Sequence, residues 1–105
     1  MSAEARLQTL DEAKRIVSTD RNQDYGDPED NFRMIGDLWS VYLGGTRIEP
    51  HDVAAMMILM KVARITTSPT KADHWVDAAG YAGCGGGIVA DYRESPSVQP
   101  AGPST

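Results

Sequence analysis

The chain has 105 residues, 41% of them hydrophobic, with one cysteine and a formal net charge of -5 at pH 7. That length suits a single domain with one modest core, and the acidic balance, with a sequence pI near 4.8, excludes a nucleic-acid-coating surface, which needs clustered Lys and Arg. A lone cysteine, Cys84, excludes an internal disulfide framework and fits a reducing compartment.

The N-terminus, Met1 to Arg6, is mixed and acidic, and no apolar segment reaches the ~20 residues of a membrane span. A soluble, unprocessed, cytoplasmic protein without a membrane partner is expected. Leu7, Leu10, Ala13 or Lys14, and Val17 recur at helical spacing, predicting an amphipathic helix from about Ala3 to Ser18. The polar segment Thr19 to Gly26 reads as a loop. Asp27-Pro28-Glu29 then supplies an N-cap, a first-turn proline and an acid for the helix dipole. A second helix follows from Pro28 to Leu43, with Phe32, Ile35, Leu38, Trp39 and Tyr42 as its apolar stripe and Gly44-Gly45 as its stop.

Glu49-Pro50-His51-Asp52 repeats the start chemistry, and the run from Val53 to Ile65 is apolar enough to predict a central helix buried on most sides, with Met56, Met57 and Met60 filling the core. Thr66-Thr-Ser-Pro69 ends it. Thr70-x-x-Asp73 resembles a capping box, so a fourth helix begins near Lys71. Its second half carries Gly80, Gly83, Gly85, Gly86 and Gly87, each costing about 0.8 to 1 kcal/mol in a helix relative to alanine. Two readings fit: a helix break at Gly85, or a helix compensated by close packing, the small residues Gly80, Gly83, Cys84 and Gly87 forming a stripe for another helix in a homo-oligomer. From residue 92 to 105, Ser-Pro, Gln-Pro and Gly-Pro dipeptides predict a disordered tail. The expected organisation is all-α, one domain over 1–91 followed by that tail.

Chemistry concentrates in two places. Lys61 and Arg64 sit three apart, and Asp73 and Asp77 sit four apart with His74 beside them, so each set projects from one side of its helix. Either they form an interhelical ion-pair network, or they are a site with two cations and two or three metal or proton ligands. Mg2+ takes one or two carboxylates and completes its shell with substrate phosphates, which Asp73 and Asp77 could serve, with Asp27, Glu29, Asp30 and Asp37 as further oxygens. Capping and the helix dipole account equally for Asp27, Glu29 and Asp30. Asp77, between Val76 and Ala78, is the hardest to explain by surface solvation. Second, the loop from Arg21 to Asn31 joins an arginine, Tyr25, amides and acids to a helix N-terminus, a set that either stacks on a base and holds phosphate or makes a capped turn. There is no Walker-type loop, no Gly-x-Ser-x-Gly elbow and no zinc ligand set, and Cys84 reads as a buried inert thiol.

Asp24-Tyr-Gly-x-Pro-x-x-Asn-Phe32, Leu38-Trp39, Lys61-x-x-Arg64-Ile65 and Asp73-x-x-x-Asp77-x-x-Gly-Tyr81 together resemble a small family of unknown function frequent in bacteriophage genomes, over residues 21 to 88. That family in turn resembles the MazG-like and all-α dUTPase nucleotide pyrophosphohydrolases. The resemblance implies a four-helix, homo-oligomeric bundle that cleaves nucleoside triphosphates to monophosphates with Mg2+. On this chain it implies Asp77 and Asp73 as metal ligands, with His74 alongside them as the catalytic set. It implies Lys61 and Arg64 against phosphate and Tyr25 and Asn31 against base or sugar, with Arg21 a further substrate-binding residue whose charge suits phosphate. The second acidic motif of those enzymes falls on His74-Trp75-Val76-Asp77, which keeps its aspartate and replaces its glutamate, and the chain has no Glu-x-x-Glu. Three functions therefore stay open: a pyrophosphohydrolase, a nucleotide-sequestering protein without catalysis, and a helical protein-interaction module.

Overall fold

The computed structural model describes residues 2–20 and 26–94. Among them lie four α-helices and no strand: α1 (Ser2–Arg15), continued by a π-helical turn (Ile16–Asp20), then α2 (Pro28–Tyr42), α3 (Pro50–Thr67) and α4 (Ala72–Glu94). The all-α class and the four expected helices are present. Helix α4 continues through residues 92–94, which were expected to belong to the tail, and the rest of that tail, residues 95–105, lies outside the described residues.

Local chemistry sets the helix ends. Pro28 opens α2 behind Asp27, whose extended backbone accepts from the N–H groups of Asp30 and Asn31 through its carbonyl, at 3.1 and 3.0 Å. The Asp27 side chain makes no capping bond, so position and proline, not the carboxylate, start the helix. Gly44 and Gly45 take φ of +76° and +102°, where a side chain would be strained, and the Gly45 N–H closes the end on the Ser40 carbonyl at 2.8 Å. At α3 the Glu49 N–H donates to the Asp52 carboxylate at 2.9 Å, a reciprocal cap one turn wide. For α4 the residue before the helix is Lys71, whose carbonyl accepts from the His74 N–H at 3.2 Å. The Thr70–Asp73 box is thus one residue out of register with the helix that forms.

The most extensive helix contact is between α3 and α4. Phe32, Val53, Ala54 and Ile88 form the buried core, with Ile35, Trp39, Met57 and Tyr81 among the residues packed against it. Close approach there explains why the glycine-rich segment stays helical, with no break at Gly85. A Cβ on Gly85 would lie 3.2 Å from the Ala54 Cβ, and one on Gly80 would lie 3.4 Å from Val17 Cγ1, so α4 gains from closeness to α3 and α1 what it loses in intrinsic propensity.

The expected apolar stripes are only half used. On α2, Phe32, Ile35 and Trp39 face inward, but Leu38 is 63% exposed and Tyr42 is 89% exposed. Gly36 and Ser40 take the inward places instead. The reason is the return of the chain: the Ser40 hydroxyl donates to the Gly36 carbonyl at 2.7 Å and accepts the Ile48 N–H at 2.9 Å, drawing the 43–49 connection onto α2. On α1, Leu7 and Leu10 are exposed while Ala13 is buried, because only the end of that helix reaches α4. Nor is α3 buried on most sides. Met56 and Met60 are exposed, and only Met57 of the three methionines packs on the core, since α2 and α4 cover one side of α3 and leave the other uncovered.

Two predictions follow from this packing. A Cβ at Gly36 would stand 2.5 Å from the Ile48 carbonyl oxygen, so Gly36→Ala should destabilise by about 1–3 kcal/mol as an overpacked site, despite the ~1 kcal/mol that alanine gains in a helix; urea unfolding would read the midpoint shift. Burial pushes the Tyr92 phenol above its ordinary range, the Glu49 charge adding to it, beside His51 with ring centroids 5.5 Å apart. The folded state therefore favours the neutral phenol, and this contribution is intact below pH 10 and lost as pH rises beyond the phenol's ordinary value. Tyr92→Phe should consequently flatten the loss of stability at high pH, measured by thermal unfolding across that range.

Candidate functional site

Asp77 lies on α4 one turn after Asp73, and its Oδ2 stands 2.8 Å from the Lys61 Nζ of α3. The lysine side chain is 14% exposed and the aspartate 26%, so this is a half-buried pair across the most extensive helix contact in the fold. On its other side Asp77 borders a cavity of about 40 Å³. Tyr81 and Cys84 extend that wall along α4, Asn31 and Phe32 come from the first turn of α2, and Ile16 and Val17 come from the π-helical turn. Gly26 sits at the exposed rim. The Phe32 and Tyr81 rings stand 6.4 Å apart at 41°. The result is a mainly apolar hollow with an amide, a phenol and a carboxylate at its wall, the combination by which small-molecule sites fix a ligand's orientation. Ala13, at the end of α1, joins Ile16 and Val17 on this wall, the three sharing one face by helical spacing.

The residues singled out in the sequence divide into three sets. Asn31, Asp77 and Lys61 are brought together, the first two at the cavity and the third holding Asp77. Asp73 is exposed, and Arg64 is exposed on α3 without an ion pair to a described residue. Half-buried His74 has an Nδ1 that is buried and takes no hydrogen bond from the described residues. Arg21 and Tyr25 lie outside the described residues. Asp37, one of the candidate oxygens, accepts from Arg47 at 3.2 Å, which also binds Glu49 at 2.7 Å; chiefly the Glu49 bond, and then its charge, raise the Arg47 pKa. Cys84 is half-buried at the cavity wall rather than enclosed. On the opposing wall Ala13 and Val17 belong to the apolar stripe expected of the first helix, but nothing in the sequence said that this stripe would face Asp77 and Tyr81.

Among the described residues no three His, Cys, Asp or Glu side chains converge as a metal-holding group, and the Asp77 carboxylate is already turned to Lys61. The arrangement can instead present a fixed negative acceptor at the wall of an apolar hollow.

A small all-helical domain with a mainly apolar hollow between its first, second and fourth helices is the class that fold and site define. The chain belongs to the DUF6378 family, a domain of unknown function whose model matches residues 8–89. It is similar to the Gene 55 protein of Mycobacterium phage L5, at 44% identity over 77 residues, which is 73% of this chain and 49% of that protein. It is also similar to the Gene 55 protein of Mycobacterium phage D29, at 47% identity over 75 residues, 71% of this chain and 49% of that protein. The chain thus spans about half the length of the curated relatives it matches. No solved structure matches it, and no helix among the described residues is long and apolar enough to cross a membrane.

The Lys61–Asp77 pair lies between a surface ion pair, worth ~0–1 kcal/mol, and a buried one, whose rupture costs about 3–5 kcal/mol. Lys61→Met should therefore cost about 2 kcal/mol by leaving Asp77 unpaired. The double variant Lys61→Met with Asp77→Leu should recover most of that loss, as chemical unfolding of the single and double variants would show.

Proposed function

We propose that this protein binds a nucleotide through the cavity beside Asp77 and does so without hydrolysing it. The observation that carries the reading is the position of Asp77 between Lys61 at 2.8 Å and a cavity that Asn31, Phe32 and Tyr81 also line. A carboxylate fixed by a lysine accepts hydrogen bonds from a ligand N–H edge, the Asn31 amide both donates and accepts, and aromatic walls suit a planar ring. At about 40 Å³ the hollow exceeds the ~10–15 Å³ that one water needs. It takes the edge of a heterocycle and leaves sugar and phosphates outside, toward the opening near Gly26.

The choice of a nucleotide among planar ligands is supported by the resemblance of His74-Trp75-Val76-Asp77 to the second acidic motif of the MazG-like pyrophosphohydrolases, with Lys61 in the place of the lysine that precedes that motif. The absence of hydrolysis is argued from chemistry. Those enzymes use several carboxylates to hold metal and orient water, whereas this chain offers Asp77, already paired, and the exposed Asp73. Exposed apolar faces favour a second reading, a helical interaction module, which needs no ligand in the cavity.

Calorimetric titration of the full chain with each common NTP and dNTP in EDTA tests the proposal, alongside chromatographic measurement of monophosphate in Mg2+. Saturable binding in EDTA with no monophosphate formed is expected, with Asp77→Asn and Asn31→Ala each weakening affinity, Asp77→Asn by roughly ten- to a hundredfold for a lost bond to a charged group. Metal-dependent turnover lost in Asp77→Ala would replace this reading with the pyrophosphohydrolase. No binding to any nucleotide would leave the interaction module.

A further inference from the structure

The wall of the cavity is chemically one-sided. Among the described residues Asp77 is the one charged side chain that lines it, and much of the remaining surface, from Ala13, Ile16, Val17 and Val76, offers a ligand no polar group. Asn31 and Tyr81 also line it, but an amide and a phenol each donate and accept. They adapt to any base edge. An ionised aspartate only accepts, through roughly four lone-pair sites, and the Lys61 ammonium engages Oδ2. Oδ1 takes no hydrogen bond from a described residue. The carboxylate therefore has room for further N–H groups and nothing to donate to a ligand.

That asymmetry discriminates among the bases. Adenine and cytosine each set an amino group beside a ring nitrogen that is itself an acceptor, so a carboxylate laid along that edge gains one bond and meets one lone pair. Uracil and thymine carry a single ring N–H between two carbonyls, and the carboxylate would face one of those oxygens. Of the common bases guanine alone sets a ring N–H next to an exocyclic amino group. Two N–H donors side by side match a carboxylate as the fork of an arginine does.

Taking the cavity as a nucleotide site, the reading on which this step rests, we infer that its ligand is a guanine nucleotide. Asp77 selects it by accepting from the guanine N1–H and 2-amino groups. Lys61 is a positioning residue, because its bond to Oδ2 at 2.8 Å fixes the plane of the carboxylate. With any other base an acceptor faces an acceptor in a mainly apolar hollow, where unmet polar groups are most costly.

Calorimetric titration of the full chain in EDTA with GTP, ITP, ATP, CTP and UTP tests the assignment. Inosine keeps the ring N–H of guanine and lacks its amino group. ITP should therefore bind roughly ten- to a hundredfold more weakly than GTP, the loss of one bond to a charged acceptor, and ATP, CTP and UTP should bind no better than ITP. Asp77→Asn, whose amide gives as well as accepts, should bring the GTP to ATP affinity ratio toward one. That ratio is taken within each variant, so a general loosening of the fold, which weakens every nucleotide alike, does not imitate the effect. Should Asp77→Asn fail to fold, the wild-type GTP to ITP ratio decides. Equal affinity for GTP and ITP overturns the inference, as does an unchanged GTP to ATP ratio in a folded Asp77→Asn. Tighter binding of ATP, CTP or UTP than of GTP overturns it and leaves the nucleotide reading standing, whereas binding of no nucleotide overturns both.

Discussion

Gly85 has no side chain, and the methyl of Ala54 lies close to the space that one would fill, 3.2 Å from its Cβ position. That approach of α3 to α4 is the constraint on which the remaining structure depends. It buries Val53, Ala54 and Ile88 together, and at its far end it sets the Lys61 ammonium within 2.8 Å of Asp77. A larger residue at Gly85 would separate the helices where the core is thinnest. The ion pair would lengthen with them, because a half-buried charge pair holds only while the backbones that carry it stay close.

The same approach shapes the cleft. With α4 drawn onto α3, its Asp77, Gly80, Tyr81 and Cys84 turn toward α1 and the start of α2. The smallness of Gly80 lets Val17 come near. Asp77 consequently serves two surfaces at once, a structural one facing Lys61 and a chemical one facing the cavity. An aspartate held by a lysine keeps its charge and its orientation at the cavity wall. Membership of the family and similarity to the mycobacteriophage proteins place the chain among proteins whose chemistry is still to be defined.

A second consequence concerns what the four helices leave uncovered. Met34, Leu38, Val41 and Tyr42 on α2, and Met56, Leu59 and Val62 on α3, all stand exposed. Turning Lys61 inward removes from the outer side of α3 the one charge that would have made it comfortable in water.

The amino-acid sequence by itself determined the helices and their ends. Proline at the first turns of α2 and α3, the paired glycines after Tyr42 and the apolar periodicity are local signals, and local physics decides them. It also singled out Lys61 and Asp77, because charges amid apolar runs are costly unless used, and Asn31, as an amide of the polar segment that feeds a helix N-terminus. Only the tertiary structure decided which apolar stripes are buried, that Gly36 and Ser40 rather than Leu38 and Tyr42 face inward, that the glycine run remains helical, and that Asp73 and Arg64 stand apart from the pair. Those outcomes depend on how closely backbones distant in sequence approach one another, and helical periodicity states which residues share a face but not which face a neighbouring helix will cover.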